Sequence, residues 1–221
     1  MKKNIVLIGI LGSGKSTLGK ALARRLSMTF VDMDAVIEQE AQMKISQIFA
    51  RCGEAHFREK ETQLAQRLGK AEGLVISTGG GIILREENMK ALKQNGVVVF
   101  LDRSPYAIIG KINCDNRPLL KEHPERLFSL HRERLPLYRR YADLTCKNRG
   151  TFGQTLSRLL RTVATAPQLS PAPHAEHGGR RETRARTCDR SREALPAEAC
   201  DKKCRRRRRK KRVAARSAGR A

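Results

Sequence analysis

Apolar positions in the first 165 residues fall into short unbroken runs separated by longer segments with spaced apolar residues. The runs are 4–8, 29–32, 74–78 (Leu-Val-Ile-Ser-Thr), 97–101 (Val-Val-Val-Phe-Leu) and, more weakly, 143–146. They do not alternate with polar residues, the pattern of strands buried on both faces. Between them the spacing turns helical. Leu18, Leu22 and Leu26 repeat every four residues, and Phe57, Leu64 and Leu68 make one stripe within 54–69. Leu127 and Leu130 open another stripe beyond Pro124, and Phe152, Leu156, Leu159, Leu160 and Val163 mark a last amphipathic helix. Strands alternating with helices predict an α/β fold with a parallel sheet covered on both faces. In such sheets ligands bind at the carboxyl ends of the strands.

The pattern stops near residue 165. From Ala166-Pro167 onward the chain has no aromatic residue and few aliphatics, and it carries eight consecutive basic residues from Arg205 to Arg212. The formal charge is +24, half of it in these last 56 residues. Such a segment buries too little apolar surface to offset the entropy of ordering it. The sequence therefore predicts a folded domain over 1–165 and a disordered basic tail over 166–221. The first apolar run leads straight into a motif of the fold, so it reads as a strand rather than a targeting signal. No run approaches the roughly 20 apolar residues of a membrane span. Of the six cysteines, Cys52, Cys114 and Cys146 are widely spaced in the domain and read as reduced thiols. A cytoplasmic protein is expected.

The most specific chemistry lies at 9–17, Gly-Ile-Leu-Gly-Ser-Gly-Lys-Ser-Thr, directly after the first strand. This is the phosphate-binding P-loop in its strand–loop–helix setting. Main-chain N–H groups of Gly12, Ser13 and Gly14 wrap anionic oxygens, and the helix that follows turns its positive end to the same phosphates. Lys15 reaches the β- and γ-phosphates, and Ser16, next to Thr17, offers a hydroxyl to Mg2+. The chain is expected to bind a nucleoside triphosphate and to move or hydrolyse its terminal phosphate.

Further groups stand at predicted strand ends or in helices beside them. On an extended segment Asp32 and Asp34 point the same way, one suited to Mg2+ and one to the attacking hydroxyl. Asp32 also has the type of a helix N-cap. Gly79, Gly80 and Gly81 let the backbone approach a ligand with no side chain in the way. Arg58 and Arg134 are forked donors suited to a carboxylate. Arg58 equally suits pairing with Glu54 or Glu61 on its own helix, and Arg134 lies in a charged helix face. Arg117 has the character of an arginine finger supplied in cis. The residues alone thus point to a kinase of a small anionic hydroxyl compound.

Gly9–Thr17, Asp32-x-Asp34, Phe57-Arg58-x-x-Glu61, Gly79–Gly81, Arg117-Pro-Leu-Leu and Arg134-x-x-x-Tyr138 occur in the order and spacing of shikimate kinases. The chain resembles that family over about residues 3–163. The resemblance implies a three-layer α/β/α P-loop kinase with five parallel strands in the order 2-3-1-4-5. It implies transfer of the ATP γ-phosphate to the 3-hydroxyl of shikimate, in the pathway to chorismate and aromatic amino acids, by a monomer. Carried over by position, Lys15 stabilises the transferring group, and Ser16 and Asp32 serve Mg2+. Asp34 meets the attacking hydroxyl, Arg58 and Arg134 clamp the carboxylate, and Gly80 lies against the ring. Arg117 covers the phosphates and Arg149 stands on the adenine side. The family often has another arginine ahead of Arg117, where this chain has Lys111. Rival readings are another small-molecule or nucleoside-monophosphate kinase on the same fold, or a nucleic-acid-binding protein acting through the tail. With no aromatic residues to stack on bases, tail binding to nucleic acid would be non-specific. His174, His177, Cys188, Cys200 and Cys204 have the spacing of no common zinc finger.

Overall fold

The first apolar run forms β1 (Asn4–Ile8), and it lies at the centre of the sheet. The computed structural model of the chain describes residues 2–109 and 125–166. The other strands are β2 (Thr29–Asp32), β3 (Leu74–Ser77), β4 (Gly96–Asp102) and β5 (Leu144–Lys147). All pairings are parallel, in the order β2-β3-β1-β4-β5. Successive side chains of β1 point to opposite faces, so each face builds its own core. Val6 and Ile8 join Ile76 and Phe100 on one face. There they are covered by α2 (Met33–Ala41), α3 (Ile45–Cys52), α4 (Glu54–Lys70), α5 (Glu86–Asn95), α6 (Pro105–Ile109) and α7 (Glu125–Tyr141). Ile5 and Leu7 join Val75, Val99 and Leu101 on the other, under α1 (Lys15–Arg25) and α8 (Phe152–Ala164).

The expected architecture is present. Its edges differ from a uniformly buried sheet, since β2 and β5 keep exposed or half-exposed positions while β1 is fully buried. The third strand stops at Ser77, one residue short of Thr78, whose N–H and hydroxyl both donate to the Leu7 carbonyl. The fourth runs one residue further at each end than its apolar run, and the fifth is shifted by one. Helices α2, α3 and α5 are additions to the predicted stripes; α3 is short, with Ile45, Ile48, Phe49 and Cys52 at helical spacing. Ala166 is buried in the α1–α8 core, so the packed unit continues one residue past the predicted boundary. Arg117, Lys111, Cys114 and the tail from 167 lie outside the described residues. Cys52 is half-buried, and Cys146 is buried as a free thiol.

Among the described residues no helix is long and apolar enough to cross a membrane.

Candidate active site

The loop between β1 and α1 folds around Lys15. Its ammonium donates to the carbonyls of Gly9 at 2.8 Å and Ile10 at 3.1 Å, and its side chain is almost fully buried. Gly12 and Gly14 have φ of 78° and 92°, the left-handed region that a side chain disfavours. Gly14 is also the N-cap of α1, so the helix N-terminus opens onto the loop.

Ser16, in the first turn of α1, donates its hydroxyl to Asp32 Oδ2 at 2.6 Å and lies 3.3 Å from Ser77 Oγ. Asp32 ends β2, and its other oxygen accepts from the N–H groups of Asp34 and Ala35, capping α2. Asp32 therefore caps α2 with one oxygen and meets Ser16 with the other. The expected extended Asp-x-Asp segment is not present. Asp34 is the second residue of α2, and the chain turns helical immediately after Asp32 because that carboxylate satisfies the first free N–H groups.

Asp34 instead faces the glycine loop. A Cβ on Gly79 would stand 2.8 Å from Asp34 Oδ1 and 2.9 Å from Glu61 Oε1. A Cβ on Gly81 would stand 2.5 Å from Arg58 Nη1. A side chain at either glycine would push against the protein's own Asp34, Glu61 or Arg58. Gly80 differs: its nearest neighbour would be the Leu11 nitrogen at 3.4 Å, an ordinary contact. Leu11 belongs to the P-loop, so the glycine loop and the phosphate loop adjoin.

Arg58 and Glu61, one turn apart on α4, form an ion pair, and Arg58 also reaches Glu54 at 3.0 Å. Glu61 is 1% exposed. Burial pushes its carboxyl up, Arg58 pulls it back, and nearby Asp34 adds to the rise. Across the loop, α7 presents Arg134 and Tyr138 on one face. Both donate to the Gly80 carbonyl, at 3.2 Å and 2.6 Å. Tyr138 is fully buried and stacked on Phe100, with ring centroids 5.2 Å apart. Burial pushes its phenol up to about 12 against the pull of Arg134, so it stays a neutral donor.

Most predicted site residues are therefore brought together. Lys15, Ser16 and Asp32 form one group, and Asp34, Arg58, Gly79–Gly81 and Arg134 form a second beside it. Arg149 is exposed beyond β5, and that segment reaches the P-loop through Asn148, whose side chain donates to the Ser13 carbonyl at 2.7 Å. Sequence reasoning did not single out Asn148, Ser77, or Arg103 on the Gly12 carbonyl. Glu61 was visible as the last residue of Phe-Arg-x-x-Glu, and its i,i+3 spacing from Arg58 is the signal for it.

The arrangement joins a phosphate cradle to a glycine loop flanked by the Arg58 and Arg134 guanidiniums and the Asp34 carboxylate, which suits phosphoryl transfer to a small anion. Known proteins agree. Residues 11–164 match the family model for shikimate kinase. A shikimate kinase of Clostridium botulinum (strain Eklund 17B / Type B) is 37% identical over 163 residues, covering 74% of this chain and 98% of the relative. One from Sulfurihydrogenibium sp. (strain YO3AOP1) is 47% identical over 138 residues, covering 62% and 83%. The solved structure of shikimate kinase from Acinetobacter baumannii in complex with shikimate matches with a TM-score of 0.70 at 36% identity, covering 76% of this chain and 96% of that one. A motif set in register, the sheet order and the family match over most of the folded residues lead to one conclusion: this chain belongs to the shikimate kinase family.

Proposed function

We propose that the protein transfers the γ-phosphoryl group of ATP to the 3-hydroxyl of shikimate, a step in the synthesis of aromatic amino acids. One observation carries the reading. Arg58 from α4, Arg134 from α7 and Asp34 from α2 converge on Gly79–Gly81 directly beside the P-loop. A planar carboxylate suits the two forked donors, and a hydroxyl on the same ring would then lie toward Asp34 and the phosphates.

In this reading Lys15 leaves its loop carbonyls to follow the charge that develops on the transferring group. The 3-hydroxyl oxygen forms the new bond to phosphorus as the bond to the β–γ bridging oxygen breaks, and ADP leaves. Asp34 orients the hydroxyl and accepts its proton. Arg58 and Arg134 fix the ring, and the open side of Gly80 lets it approach. Arg117 and Arg149 are assigned to the phosphates and the adenine side by resemblance, and Arg117 lies outside the described residues.

Ser16 and Asp32 fit Mg2+. They are hard oxygen donors 2.6 Å apart at the mouth of the phosphate cradle. Among the described residues no group of three or more His, Cys, Asp or Glu stands together, so the ion would complete its shell with phosphate and water oxygens. When bound it neutralises charge between the β- and γ-phosphates.

A monomer is assigned by the resemblance to the family alone. The family match over 11–164 supports a catalytic unit within the folded residues, with the basic tail outside it.

The test is ADP release by the full-length chain from Mg-ATP, with shikimate and with a panel of other hydroxy acids, sugars and nucleoside monophosphates. Turnover that depends on shikimate is expected. Turnover with another acceptor and none with shikimate would overturn the assignment. Removing 167–221 should leave the rate unchanged.

A further inference from the structure

The phosphate loop is braced from outside by two side chains that belong to no phosphate-binding motif. Gly12 and Ser13 are consecutive, and the carbonyl of each is captured from the end of a neighbouring strand. Arg103, just after β4, donates Nη1 to Gly12 O at 3.3 Å and Nη2 to Ala107 O of α6 at 3.2 Å. Asn148, just after β5, donates Nδ2 to Ser13 O at 2.7 Å. Asn148 is itself fixed at two points. Its N–H donates to Asp102 O at 2.8 Å, and its Oδ1 accepts from the buried Thr155 hydroxyl at 3.1 Å. The second bond decides which end of the amide faces the loop.

A trans peptide is planar, so a carbonyl and the N–H that follows it point in opposite directions. Holding Ser13 O toward Asn148 turns the Gly14 N–H to the other side. Holding Gly12 O toward Arg103 turns the Ser13 N–H back into the loop, onto Ile10 O at 3.1 Å. The positive φ of Gly12 and Gly14 is kept in the same way. Glycine makes this conformation accessible, but it equally allows others. Something must select it before the ligand arrives, or binding bears the ordering cost.

We propose that Arg103 and Asn148, with Thr155 behind Asn148, are positioning residues for ATP. They act through the carbonyls of Gly12 and Ser13, the first keeping the loop closed through the Ser13–Ile10 turn and the second aiming the Gly14 N–H for the phosphates. The proposal rests on reading 9–17 as the phosphate cradle.

The test measures equilibrium binding of ATP and of inorganic tripolyphosphate to the full-length chain by calorimetry, alongside steady-state kinetics. Three variants are compared with the parent. Arg103→Met keeps the aliphatic stem and removes the donors. Asn148→Leu keeps the branched shape. Thr155→Val is isosteric and acts only through Asn148. Losing one such hydrogen bond should weaken both ligands about fivefold to tenfold, in equal ratio, for the first two variants, and about twofold for Thr155→Val. The KM for ATP should rise in step while the KM for shikimate and the melting temperature stay near the parent's. Arg103→Lys, with a single donor group, should recover part of the loss. If Asn148→Leu unfolds, Arg103→Met and Thr155→Val carry the test. Weaker ATP with unchanged tripolyphosphate would overturn the proposal, because the side chains would then be touching adenosine. Unchanged affinity for both would overturn it too. A parent chain that binds neither ligand would instead sink the phosphate-cradle reading itself.

Discussion

The two halves of the site are built from different material. On the β1–α1 side the groups proposed to recognise the ligand are main-chain amides, shaped by glycine torsions and braced from outside the loop by Arg103 and Asn148. On the β2–β3 side they are side chains, Asp34, Arg58, Glu61 and Arg134, arranged round a loop whose glycines give them room. Main chain is the same in every residue, so it suits a group common to many ligands, the phosphate. Side chains differ, so they suit the acceptor, which is particular. The halves should therefore fail differently when altered.

The largest effect is expected at the buried lysine of the main-chain half. Lys15→Ala should lower kcat by about 100- to 1,000-fold, since its contact strengthens as charge develops. Circular dichroism should show the fold intact, and a near-normal kcat would remove Lys15 from the transfer step.

On the other half, binding and stability should fall together. Arg58→Ala removes a carboxylate clamp and leaves Glu61 buried without its cation. Shikimate KM should rise at least tenfold, and urea unfolding should show a loss of about 3 kcal/mol. Adding Glu61→Gln should recover most of the stability but not the KM. The pH dependence follows from the raised Glu61 carboxyl. Without Arg58 the folded state holds the Glu61 proton more tightly than the unfolded state, whose value is near 4.5. Stability is then lost as pH rises from that value, and the deficit against the parent should shrink below it. A rise confined to the KM for ATP would contradict the division of the site.

The glycines sharpen the comparison further. Gly79→Ala forces a methyl group onto Asp34 and Glu61 and should cost about 1–3 kcal/mol. Gly80→Ala meets only ordinary contacts, so it should leave the melting temperature alone and weaken shikimate. Equal destabilisation by both would mean that Gly80 is a packing residue like its neighbours.

The smallest effect should come from the far end of the sheet. Asp143 accepts from the Val98 N–H at 2.9 Å and pairs with Lys93 at 2.8 Å. Burial pushes its carboxyl up, but Lys93 and the Val98 N–H outweigh that and hold it below the usual range. Asp143→Asn should cost about 1 kcal/mol at neutral pH with both KM values unchanged. A lowered value contributes stability above the unfolded 3.8 and loses it as pH falls through the folded value, so parent and variant should converge in strong acid.

The same contrast explains what could be read from the sequence. The phosphate loop is nine consecutive residues, and local spacing suffices to find it. The acceptor half is spread from Asp34 to Tyr138, and only the register of a whole family's motifs joined those positions. Asp34 shows the limit of spacing. Two aspartates two apart were placed on one extended segment, but Asp32 caps a helix that begins between them. Arg103 and Asn148 were illegible for another reason. Each is a lone polar residue after a strand, and its partner is a carbonyl, which every residue has. Gly79 and Gly81 were read as making way for a ligand, and no local spacing could show that Asp34, Glu61 and Arg58 also press on them.

The central place of β1 also bears on descent. The nucleotide half draws on β1, α1 and the ends of β4 and β5, while the acceptor half draws on α2, α4, α7 and the loop after β3. Few residues serve both. A lineage can therefore retune its acceptor by drift on three helices while the inherited phosphate machinery stays intact, and the first trait to diverge among such enzymes should be what they phosphorylate rather than what they spend.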